Sequence, residues 1–142
     1  MKNVSRIKRL RWWLLGGFLL ASYPTVVLAY TWSHVLSSDL PGGRHGPLDA
    51  YRHTLASAFV GCTLGSQAVE LVTQVMESSS KRSSIMDRHN NRLGARIGAA
   101  CDSISNIEPK VAASIAQGQI NATHPNQSTW LPPEDWRQGK LW

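Results

Sequence analysis

Residues 12–29 form an uncharged, almost wholly apolar run, Trp-Trp-Leu-Leu-Gly-Gly-Phe-Leu-Leu-Ala-Ser-Tyr-Pro-Thr-Val-Val-Leu-Ala. Lys2, Arg6, Lys8, Arg9 and Arg11 all precede it. A basic start followed by an apolar run is the form of an export signal. Val27-Leu28-Ala29 is similar to a cleavage site, and Pro24, a little upstream, is expected to break the helix before it. The alternative is an uncleaved anchor. As a helix the run rises roughly 27 Å, just enough to cross the hydrocarbon core of a bilayer. Either way the cationic end stays inside, and residues 30–142 lie outside the cytoplasm. The expected location is the periplasm, or the inner membrane facing it, with secretion if the run is cleaved. The membrane is a partner through residues 12–29 if it is not. No second apolar run of spanning length follows, and no lipobox cysteine lies near the end of the first.

This arrangement decides how the net charge of +6 is read. From residue 30 onward ten Lys or Arg stand against nine Asp or Glu, so the basic excess sits in the first eleven residues. No basic patch on the folded part is implied, and nucleic acid is not an expected partner. The two cysteines, Cys62 and Cys101, can form a disulfide in an oxidising compartment or pack as buried thiols. Their spacing matches no zinc pattern.

The rest of the chain reads as an all-α domain, a small bundle of about four helices. Residues 30–46 are expected to be an extended lead-in, because Pro41-Gly42-Gly43 excludes continuous helix there. His34 and His45 are expected to be solvated. A first helix should start at Gly46-Pro47, with Pro in the first turn. Leu48, Tyr51, Leu55, Phe59 and Cys62 fall on one arc, the core face. The opposite side is also small or apolar, so this helix is expected to be buried nearly all round. A second helix is expected over 64–77, with Ala68, Leu71, Val72, Val75 and Met76 inward. A third should start near Ser84, where Ser84-x-x-Asp87 resembles a capping box. Its core arc is Met86, Leu93, Ile97 and Ala100, and its wet arc Arg88, Arg92, Ala95 and Arg96. Next to the core arc lie Asn90, Asp87, Asn91, Gly94 and Gly98, and glycines at that spacing let a second backbone approach. A fourth helix spans 107–117. The helical domain is thus placed at 47–120. A tail at 121–142 carries Trp130, Trp136 and Trp142 and is expected to wrap the core, the alternative being contact with a partner or a membrane surface.

Two polar ladders interrupt these faces. Asp49, Arg52 and His53 lie within five residues on the first helix, and Asp87, Asn90 and Asn91 lie on the third. Buried charge must be paired or hydrogen-bonded, so the ladders are expected to meet. A histidine held by a carboxylate is an acid–base arrangement, with His53 oriented by Asp87 or Asp49. Arg52, Asn90 and Asn91 could then position substrate or stabilise an oxyanion. The same region could instead hold a divalent metal, with His53, Asp87, His89 and Glu77 as ligands. No strong nucleophile motif is present; Ser57, one turn past His53 on the same helix, is a candidate without one. A satisfied structural network between packed helices is the competing explanation.

Asp49-x-x-Arg52-His53, Glu77 and Met86-Asp87-x-His89-Asn90-Asn91-x-x-Gly94 resemble the motifs of an uncharacterised bacterial family of secreted or toxin-associated helical domains. The resemblance covers roughly residues 46–118. Where that family often has His-Glu, this chain has Met76-Glu77, so one metal-ligating histidine would be missing here. The resemblance implies that Arg52, His53, Glu77, Asp87, His89, Asn90 and Asn91 belong to one site. It carries no activity with it. The expectation is therefore an exported envelope protein with a hydrolase-like site, acting on an unidentified substrate such as the cell wall. The alternative is a non-enzymatic envelope protein, structural or partner-binding, for example an immunity or exclusion factor, in which the polar cluster locks the helices.

Overall fold

The structure is a computed structural model that describes residues 2–76 and 80–140. It is an all-α bundle in which one helix, α2, is surrounded by the others. The helices are α1 (Lys2–Ser37), α2 (Pro47–Leu64), α3 (Ser66–Met76), α4 (Arg82–Ala99) and α5 (Ile107–Ala116). Short 3-10 turns at Ile104–Asn106 and Pro133–Asp135 complete the helical set. Two two-residue strands pair in parallel, with Gln119 opposite Thr129 and Ile120 opposite Trp130.

Helix α1 corrects the expectation of an extended segment after residue 29. It runs unbroken through Pro24 to Ser37. The reason is packing downstream: Thr31 and Val35, four apart, are buried, and Tyr30 stacks on Phe59 of α2 at 4.7 Å between ring centroids. Pro24 removes one backbone donor but does not outweigh those contacts. Pro41-Gly42-Gly43 acts only beyond the helix end. Among the described residues α1 is the one helix long and apolar enough to cross a membrane, and its apolar window is exposed.

Helix α2 has Pro47 in its first turn and is buried on most of its circumference, as its composition requires. Leu48, Tyr51 and Leu55 join Val35, Ile107, Val111 and Ile115 in the core. Helix α4 packs most closely on α2. A Cβ at Gly94 would strike the carbonyl oxygen of Thr54 and sit 2.7 Å from Cβ of Ser57. One at Gly98 would strike the carbonyl of Ala58 and sit 2.8 Å from the amide of Cys62. The glycines therefore set the distance between the two helices. Beyond them Cys62 and Cys101 are joined by a disulfide, with Cα atoms 5.8 Å apart.

Three local expectations need correction. Helix α4 begins at Arg82 rather than Ser84, and its N-cap, Lys81, makes no side-chain cap bond. Ala95 is buried rather than wet, facing α3, while Arg92 and Arg96 are exposed. Helix α3 has the expected period but the opposite face inward: Val69 and Thr73 are buried, whereas Leu71, Val72 and Val75 are exposed. Met76's side chain and Glu77 lie outside the described residues. The tail does wrap the core, with Ala122, Ser128, Thr129 and Leu131 buried. Trp136 donates its indole N–H to the Leu131 carbonyl at 2.6 Å and lies over Gly42 and Gly46; Trp142 is not among the described residues.

Candidate functional site

Helices α2 and α4 run parallel, so residues pair in order along them. This register brings the two polar ladders together. His53 Nε2 lies 3.5 Å from Oδ1 of Asp87 and 3.6 Å from Oδ1 of Asp49. His53 Nδ1 lies 3.3 Å from Oδ1 of Asn91, which also accepts the Ser57 hydroxyl at 3.0 Å. With Asn91 Oδ1 as acceptor, Nδ1 carries a proton. The other ring nitrogen then points between two carboxylates, where a proton or a metal cation satisfies it.

Burial grades the three residues. The Asp49 side chain is 3% exposed, Asp87 15% and His53 26%, so the imidazole is the part of the cluster open to water. Asp49 is held from three sides. Its Oδ2 accepts the backbone N–H of His45 at 2.6 Å, Oδ1 pairs with the Arg52 guanidinium, and Oδ1 also faces His53. It sits in the first turn of α2, where the helix dipole favours a negative charge. Arg52 in turn lies 5.6 Å from the centroid of the Trp32 ring on α1. Arg52 is thus committed to Asp49 and to α1, which makes it a support for the carboxylate.

His45 adopts a positive φ of 64°, a conformation that only a minority of non-glycine residues take. Its N–H bond to Asp49 and the bond from Leu131 N–H to its carbonyl at 2.9 Å hold it there. Burial pushes the His45 imidazole below the usual histidine range, with Arg44 and Arg137 acting the same way and Asp49 and Asp135 opposing them. His45 is therefore not simply solvated.

The motif on α4 splits between two faces. Asp87 and Asn91, four apart, face α2 and His53. Asn90 is fully buried and faces the tail: its Nδ2 donates to the Thr129 carbonyl at 2.8 Å, and Thr129 N–H donates to its Oδ1 at 3.0 Å. His89 Nε2 donates to the Gln127 carbonyl at 2.7 Å. Neither residue reaches the His53 cluster. This corrects the expectation of Asn90 as a substrate-positioning group and of His89 as a metal ligand. Glu77, the fourth expected ligand, lies outside the described residues.

The donor set that remains is Asp49, His53 and Asp87, whose ligand atoms lie within 4.8 Å of one another. Two residues that the sequence did not place in the site support it: Trp32 behind Arg52 and His45 beneath Asp49. Sequence spacing points to neither, because each is placed by a tertiary contact. Comparison with known proteins adds no relative: no family model, curated protein or solved structure matches the chain.

Proposed function

We propose that this chain is a membrane-anchored envelope protein with a hydrolase-like site centred on His53. The observation that carries the proposal is the imidazole of His53 set between the carboxylates of Asp49 and Asp87, fixed by Asn91 on its other nitrogen and open to water. The formal charges of Asp49, Asp87 and Arg52 leave one negative charge in the cluster. With Nδ1 directed to Asn91 and Nε2 facing the two carboxylates, His53 is placed to take a proton from water and return it to a leaving group. Asp87 orients the ring from the open side and Asp49 from the buried side.

Anchoring is supported by the continuity of α1. The Tyr23 hydroxyl bonds Thr63 at 2.5 Å, and Tyr30, Thr31 and Val35 pack into the domain on the same unbroken helix. Cleavage after Ala29 would need residues 27–29 drawn out of that helix. The basic first turns and the disulfide both support a domain on the non-cytoplasmic side, in a periplasm-like compartment.

The test uses the full chain in lipid nanodiscs, incubated separately with isolated cell walls and with phospholipid vesicles. Released fragments are read by mass spectrometry. Release by the wild type, absent with His53→Gln, is the expected result. Equal behaviour of the two proteins on both substrates overturns the proposal.

One observation favours a second reading, a divalent cation on the same three residues. The two distances from His53 Nε2 to the carboxylates, 3.5 and 3.6 Å, are close to the roughly 3.4 Å edge of a tetrahedral site with bonds of about 2.1 Å, and all three ligand atoms lie within 4.8 Å of one another. Calorimetric titration with zinc or manganese decides it: binding lost in Asp87→Asn supports the cation, and no heat in the wild type excludes these metals. The structural-network reading accounts for Asn90 and His89. It leaves the exposure of His53 without a purpose.

A further inference from the structure

Helix α3 turns its apolar side away from the protein. Leu64, Leu71, Val72 and Val75 are 58%, 66%, 59% and 78% exposed, and all fall within one arc of the helix and its lead-in. A contiguous apolar stripe of this kind marks an interaction surface rather than a core face. Its position in the fold says what the surface meets.

The stripe starts at the end of α2 that touches the apolar run of α1. Thr63 gives its own proton to the Phe59 carbonyl, so the 2.5 Å bond to Tyr23 is donated by the tyrosine. Tyr23 is not at the end of the apolar run; six residues of it, through Ala29, still follow. At about 1.5 Å per residue those residues rise roughly 9 Å. A bilayer that accepts the whole run therefore extends past Thr63 and meets the chain that follows. That chain is Leu64 and the first two turns of α3.

We infer that α3 is a second membrane contact: its apolar stripe rests in the boundary layer of the bilayer that α1 crosses, and the domain leans on that side. The inference rests on α1 being an anchor. Helix α3 has the make-up of an interfacial helix, with Gln67, Glu70 and Gln74 off the apolar arc. Its inner residues Val69 and Thr73 pack toward α4, where the exposed Arg92 lines the same groove and suits anionic headgroups. A tilt of α1 of the usual ~20° is enough to bring one side of the bundle down.

The test uses the full chain in vesicles of phosphatidylethanolamine and phosphatidylglycerol. Among the described residues no cysteine is free, so Leu71→Cys takes a single environment-sensitive fluorophore. Thr123→Cys, on an exposed loop, is the reference. The expected result is quenching at position 71 by nitroxide lipids, with iodide quenching several-fold weaker than at position 123. Equal iodide quenching at the two positions overturns the inference. So does disulfide cross-linking of Val75→Cys chains to one another, which would assign the stripe to a second copy. Alkaline extraction of the same vesicles separates the two proposals. A chain that resists extraction but has an aqueous position 71 refutes only the α3 contact. A chain that is extracted refutes the anchor and this inference together.

Discussion

His53 on α2 and Asp87 on α4 are 34 residues apart in the chain and 3.5 Å apart in space, with the imidazole more exposed than the carboxylate. A contact of this kind is useful for chemistry only if the ring can change protonation without the fold depending on it. His53→Gln tests that. The Gln amide still donates to the carboxylates but cannot exchange a proton near neutral pH. Hydrolytic turnover is expected to fall by about 10²-fold or more, the usual contribution of a general acid–base group. The thermal midpoint is expected to stay within a few degrees. A midpoint that collapses with the activity would mark the pair as structural.

Gly94→Ala is expected to destabilise the protein by about 1–3 kcal/mol or more, because the added methyl meets the backbone of α2 at Thr54 and Cβ of Ser57. The neighbours are backbone and a helix-borne Cβ, so neither can swing aside. Urea denaturation reads the effect. An unchanged midpoint would mean that α2 and α4 are not held at this distance.

Asn90→Ala removes both bonds to Thr129 and leaves a buried N–H and a buried carbonyl unpaired. The expected loss is about 1–3 kcal/mol for each group. Activity per folded molecule should persist, because Asn90 faces the tail. Asn91→Ala should do the reverse, with a small change in stability and a large one in turnover. The two neighbours thus separate the fold from the site in one comparison.

Reducing the Cys62–Cys101 bond frees a loop spanning 39 positions. In the chain-entropy model the loss is on the order of 3–4 kcal/mol. A scan with and without reductant measures it, and Cys62→Ser with Cys101→Ser should reproduce the reduced value without reductant.

His45 predicts a pH dependence. Burial lowers its pKa in the folded protein, so the folded state binds its proton less readily than the unfolded chain. Its contribution is intact above the unfolded value of about 6.5 and is lost as pH falls below it. His45→Asn accepts the positive φ and removes the titration. The wild type should lose stability relative to this variant between neutral pH and pH 5. Parallel curves would show that the imidazole is not opposed by its surroundings.

The sequence carried the helices with strong periodicity and the meeting of the two ladders. Leu48, Tyr51 and Leu55 announced a core face, and Gly94 with Gly98 announced a close crossing. What it could not carry was the choice between faces that look alike. Helix α3 has a clear apolar arc at Leu71, Val72 and Val75, but periodicity does not state whether protein or something else covers an arc. Likewise Asp87, His89, Asn90 and Asn91 are adjacent in the chain, yet a helix turns by about 100° per residue and shares them between α2 and the tail. Pro24 and Pro41-Gly42-Gly43 signal breaks in α1, while the burial of Thr31 and Val35 that sustains the helix is a tertiary effect.

If α1 crosses a membrane as proposed, its unbroken course also sets the altitude of the His53 cluster. His53 stands ten positions up α2 from Thr63, about 15 Å. Tyr23, level with Thr63, stands roughly 9 Å below the end of the apolar run. With that run embedded, the imidazole hovers only ~6 Å over the oily layer, among the polar headgroups. A substrate of the proposed hydrolytic site would then arrive sideways along the membrane plane, carried by a lipid or lying flat against one.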